Sequence, residues 1–117
     1  RATTGAAAAA DFILPEAATA ATVESFVAAA LAADPVRADW RDLAEWRLLG
    51  PALVTVPVLL LEAFHDPLAR DDQHAALFTA LGTDDKAWVV IPGGAHAAFL
   101  ETPRGYFLRQ VDAFVHR

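Results

Sequence analysis

Val56-Pro57-Val58-Leu59-Leu60-Leu61-Glu62-Ala63 runs directly into Phe64-His65-Asp66-Pro67-Leu68, and Trp88-Val89-Val90-Ile91 runs through Pro92-Gly93-Gly94-Ala95 into His96. Both apolar runs are short, contain β-branched residues and show no polar alternation. That is the pattern of strands covered on both faces in a parallel sheet, with strands expected over residues 54–61 and 87–91. In such sheets the working residues gather just beyond the carboxyl ends of the strands. Asp66 and His96 both fall there. An acid and a base so placed are two members of a nucleophile–base–acid set. The third is missing from the sequence: Ser25 is the only serine, there is no cysteine, and no Gly-x-Ser-x-Gly elbow occurs.

Outward from these runs the chain reads as helices. Asp71 and Asp72 open one with negative charge at its positive end, Leu77, Phe78 and Leu81 supply its buried face, and Gly82 stands where a C′ terminator belongs. Thr102 as N-cap, with Pro103 at the first helical position, starts the last helix, whose stripe is Phe107, Leu108, Val111, Phe114 and Val115. Upstream, Thr22 is placed as the N-cap of a helix in which Val23, Phe26, Val27, Ala30 and Leu31 recur at helical spacing, and Asp34-Pro35 ends it. A second short helix is expected over residues 39–48, with Trp40, Leu43 and Trp46 as its apolar members and Gly50-Pro51 as its stop. Residues 1–21, including the alanine run at 6–10, hold no sustained period and read as a loop or a severed end. The order is helix, helix, strand, helix, strand, helix, and the two β-α units imply parallel strands joined by right-handed crossovers. Two strands do not make a stable parallel sheet alone, so the rest of the sheet is expected from another polypeptide.

Composition narrows the function classes. At 117 residues and 56% hydrophobic, the chain suits one domain with a modest core rather than a disordered segment. A net charge of −6, with its nine basic residues scattered, argues against nucleic acid, because phosphate binding needs clustered Lys and Arg. No apolar run approaches the roughly 20 residues of a membrane span. Without cysteine there is neither a disulfide framework nor a zinc–thiolate site, and no His or carboxylate spacing suggests another metal centre. The sequence also lacks methionine, so a further piece is expected upstream of Arg1.

At the two loops the chain resembles the C-terminal part of the α/β-hydrolase family. Residues 56–61 followed by His65-Asp66-Pro67 look like the family's acid strand and turn. Pro92-Gly93-Gly94-Ala95-His96 followed by Phe99-Leu100-Glu101 looks like its histidine loop, and the last helix fits as well. The resemblance covers residue 54 to the end, with one departure: Ala63 stands where the family usually has a glycine before the acid. It implies an α/β fold made of the C-terminal part of a hydrolase sheet, two strands with flanking helices, preceded by two cap helices and completed by a missing N-terminal piece. The division would be 1–21 loop or cleaved end, 22–50 cap, and 51–117 part of the core. The family order of nucleophile, acid, histidine puts the nucleophile on that N-terminal piece, which becomes the expected partner. The implied activity is hydrolysis of a small ester or amide by a serine hydrolase, without cofactor or metal. Asp66 would fix the tautomer of His96, and His96 on a flexible Gly-rich loop would take the serine proton. Two alternatives stay open: an epoxide hydrolase or dehalogenase with an aspartate nucleophile on the missing piece, and a binding protein that keeps the fold without turnover.

Ordinary readings stand beside these. An isolated Asp-Pro after a strand is usually a turn device. His65 is expected as a solvated turn residue, and His74 and His116 as surface residues. Phe26, Trp40 and Trp46 are first of all packing residues of amphipathic helices. Phe64 and Leu68 flank the acid and, with Trp40, are the candidate substrate contacts, a core role being the competing reading. Glu62 sits in an apolar strand with no partner legible in the sequence.

Overall fold

The computed structural model of the chain describes residues 2–36, 50–68 and 71–117. Among them the order is α1 (Gly5–Ala9), α2 (Ala20–Ala33), a 3-10 turn (Pro51–Leu53), β1 (Val58–Ala63), α3 (Asp71–Ala80), β2 (Lys86–Ile91) and α4 (Arg104–Val115). The fold is mixed α/β around a parallel pair of strands, with Val58 opposite Lys86 and Ala63 opposite Ile91. The expected second helix over 39–48, with Trp40 and Trp46, lies outside the described residues.

β1 begins later than the apolar run suggests. Pro57 has no N–H to give to the ladder, so pairing starts at Val58, whose N–H bonds the Asp85 carbonyl at 3.0 Å, and continues to Ala63. Strand alternation puts Leu60, Glu62 and Trp88 on one face, and α3 lies there: Phe78 and His74 both meet the Trp88 ring, at 6.0 and 6.1 Å between centroids. α4 packs against both strands as well. Lys86 then closes the end of α3, its Nζ donating to the carbonyls of Phe78 (2.8 Å) and Leu81 (3.3 Å).

Gly82 is required for a different reason from the one its sequence position suggests. Its φ is not positive; instead a Cβ there would come within 2.0 Å of the Ala52 carbonyl oxygen. The residue lets the chain after α3 press against the 3-10 turn, where its N–H bonds Pro51 O at 3.2 Å.

Residues 1–21 are not simply a loop. Thr4 accepts from the Ala7 N–H at 3.1 Å and caps α1, and the chain ahead of it folds back onto the end of α2, with Thr3 bonded to Asp34 O and Pro35 O. α2 is capped by Thr19, not Thr22, since Thr22 donates its N–H to the Thr19 hydroxyl. Phe12 meets Phe26 edge to face at 5.3 Å, which joins α1 and α2. Thr102 is not the N-cap of α4. Both its N–H (2.7 Å) and its hydroxyl (2.9 Å) donate to Ala17 O, tying the α1–α2 unit to the C-terminal part, and Pro103 takes the cap position.

The buried apolar residues are mostly small: Ala8, Ala17, Ala95, Ala97, Ala98, Leu81 and Ile91. Several stripe residues that would be core in a fully covered sheet stand exposed, among them Leu31, Leu77, Leu108 and Val115. Val54 and Val56, just before β1, are exposed too.

Candidate active site

The acid turn follows from the strand end. After Ala63, the Asp66 N–H turns back onto the Ala63 carbonyl at 3.0 Å, a tight turn in which Ala63 fits. The Asp66 carboxylate is then used at both oxygens. Oδ1 accepts from the Leu68 N–H at 2.9 Å, the local side-chain-to-backbone bond that Asp makes readily in turns. Oδ2 lies 3.0 Å from His96 Nδ1. The first bond fixes the carboxylate plane and the second uses it.

The histidine loop has the matching construction. Ile91-Pro92-Gly93-Gly94 forms a turn closed by the Gly94 N–H on Ile91 O at 3.3 Å, with Pro at its second position and Gly93 at φ +73° at its third. Two backbone bonds join this loop to the acid turn beyond the last paired residues: Phe64 N–H to Ile91 O (3.2 Å) and His65 N–H to Gly94 O (2.9 Å). The loop is closely packed rather than open chain, contrary to the flexible loop expected from its glycines. Ala95, Ala97 and Ala98 are buried, and a Cβ on Gly94 would already lie 3.0 Å from the Ala98 methyl. His96 projects from this base, its side chain 40% exposed and that of Asp66 13%.

With Nδ1–H directed at a carboxylate, the neutral ring carries its lone pair on Nε2. Among the described residues nothing pairs with Nε2. The pair can therefore take a proton from a group delivered to the open side of the ring, and Asp66 would stabilise the resulting imidazolium. Ser25 is not bonded to His96. It lines an open groove with Ala21, Thr22, Phe26, Ala29 and Leu100.

The other singled-out residues separate clearly. Phe64 and Leu68, on either side of the acid, are each 67% exposed. Trp40 lies outside the described residues. His65 is exposed at the turn, and His116 is exposed just after α4, beside Asp112. His74 is not a surface residue: its Nδ1 is buried 2.9 Å from Glu62 Oε2, though not aligned for a hydrogen bond. The same oxygen accepts from Trp88 Nε1 at 2.8 Å. These contacts answer the question of Glu62, which is buried under α3 with an indole donor. Sequence reasoning missed the role of Glu101. It is 1% exposed, and its Oε2 accepts from the Ala95 N–H at 2.6 Å. The only sequence signal was a carboxylate a few residues after the histidine in an apolar context.

Among the described residues no cluster of His, Asp or Glu could hold a metal ion, and no helix is long and apolar enough to cross a membrane. The sequence matches no protein-family model and no curated protein.

Proposed function

We propose that this chain supplies the acid and base of a Ser-Asp-His hydrolase of the α/β-hydrolase type, acting on a carboxylic ester or amide. The carrying observation is the 3.0 Å contact between Asp66 Oδ2 and His96 Nδ1 at the carboxyl ends of two parallel strands. Neither residues 37–49 nor residues 69–70 contain a serine, threonine or cysteine, so a hydroxyl nucleophile for Nε2 is sought on a further polypeptide segment. The exposed apolar side chains of Val54, Val56, Leu108 and Val115 support an apolar interface with that segment.

In the reaction, Nε2 takes the serine proton as Oγ bonds to the acyl carbon. The Nε2–H then protonates the departing alcohol or amine as its bond to carbon breaks. Water next gives a proton to Nε2 and attacks the acyl-serine ester, and the serine recovers the proton as the acid leaves. Asp66 stays ionised throughout and holds the ring. Phe64 and Leu68, flanking the acid, would line the mouth of the acyl pocket.

A serine-directed fluorophosphonate tests this on the protein purified with the polypeptides that accompany it. Labelling should fall on a serine outside residues 1–117 and should disappear in His96→Ala. Absence of labelling, or labelling indifferent to His96→Ala, would overturn the proposal. Turnover without labelling would instead favour an aspartate nucleophile.

A further inference from the structure

We infer that Glu101 is the positioning residue of His96: its carboxylate holds the histidine loop through the Ala95 N–H and so sets the ring against Asp66. The inference rests on the reading above only in taking His96 as the working base. Glu101 is one of the two buried carboxylates among the described residues, at 1% exposed, yet its carboxylate has a single hydrogen bond, and its Oε1 is buried with no partner. Burying a carboxylate with half its acceptor capacity unmet costs stability, and an apolar side chain of the same size would avoid that cost. What the carboxylate does provide is a short 2.6 Å bond from the N–H of Ala95, the residue before His96, to a charged acceptor.

The surroundings give that bond leverage. Ala97 O accepts from the N–H groups of both Leu100 (2.7 Å) and Glu101 (3.2 Å), so residues 97–101 form a compact turn that carries the carboxylate back under residue 95. Arg104 N–H bonds Glu101 O at 3.0 Å, which roots this turn in the start of α4. The Gly94–Ala95 peptide, just ahead of His96, is thus held at both of its polar groups: its N–H by Glu101 and its carbonyl by the His65 N–H of the acid turn. Side chains of alanine alone could fill the space but could not fix the peptide plane.

The test is NMR on the assembled protein with labelled histidine and alanine, comparing Glu101→Gln, Glu101→Ala and Glu62→Gln. In the unaltered protein the Ala95 amide should be strongly protected from exchange, and His96 should be the Nδ1–H tautomer. Glu101→Ala should speed Ala95 exchange by about tenfold to a hundredfold, the range of one hydrogen bond to a charged group, and mix the His96 tautomers. Glu101→Gln keeps an acceptor and should restore the tautomer while shifting the Ala95 amide proton upfield. Glu62→Gln, the other buried carboxylate, should leave both His96 and Ala95 signals unchanged. The inference is overturned by an unprotected Ala95 amide in the unaltered protein, by an Ala95 signal indifferent to Glu101→Gln, or by equal His96 changes in Glu62→Gln. These readouts need no turnover, so they are independent of whether the assembly hydrolyses esters.

Discussion

His65 donates its N–H to the Gly94 carbonyl at 2.9 Å, beyond Ala63 and Ile91, the last paired residues of the sheet. That bond joins the acid turn to the histidine loop as a backbone unit. Main-chain geometry thereby brings Asp66 and His96 within reach of each other, and their side chains complete the 3.0 Å contact.

Asp66→Asn separates charge from geometry. Its side-chain carbonyl can still accept from the Leu68 N–H, which now bonds Oδ1 at 2.9 Å, but an amide donor facing His96 selects the wrong tautomer. If the assembled protein hydrolyses esters as proposed, it should lose roughly 10⁴-fold in kcat with little change in KM. Steady-state kinetics check this, and a loss below about tenfold would count against the acid role.

Gly82→Ala and Gly93→Ala should both destabilise, by different mechanisms. At Gly82 the new methyl meets the Ala52 carbonyl at 2.0 Å, so the 3-10 turn must shift, at a cost of about 1–3 kcal/mol or more. Denaturant midpoints measure it, and an unchanged midpoint would contradict the close approach.

At Gly93 nothing lies within 4 Å of an added Cβ, and only the φ of +73° opposes it. The cost should be about 1–2 kcal/mol, and Gly93→Asn should cost less than Gly93→Ala because Asn tolerates that conformation. Equal costs by chemical denaturation would mean that the turn is read wrongly.

Trp88→Phe keeps the ring packed on Phe78 and removes the 2.8 Å donor to Glu62. A buried carboxylate losing its indole partner should cost about 1–3 kcal/mol of stability. If thermal unfolding shows no change, the Glu62–Trp88 bond contributes nothing to the fold.

The sequence carried the strands, the parallel pairing and the Asp66–His96 contact, because each rests on local signals: an apolar run, a turn, and a titratable side chain at a strand end. It did not carry the contacts that join distant segments. Glu62 with Trp88 and His74, and Thr102 with Ala17, are pairings between elements far apart in the chain, and no periodicity announces them. Helix starts slipped for the same reason. Thr102 has the residue type of an N-cap, but its hydroxyl is engaged by Ala17. Gly82 reads in the sequence as a C′ terminator, whereas the structure needs it for a steric approach to Ala52 that leaves no trace in local sequence. The glycines at 93 and 94 suggest looseness, whereas the alanines after them pack the loop tight.

The most direct test of the central claim is a crystal structure of the assembled protein after reaction with a fluorophosphonate. The modified oxygen should belong to a serine outside residues 1–117 and lie about 2.6–3.2 Å from His96 Nε2, with Asp66 still on Nδ1. An adduct remote from His96, or a His96 ring turned away from Asp66 in the intact assembly, would contradict it.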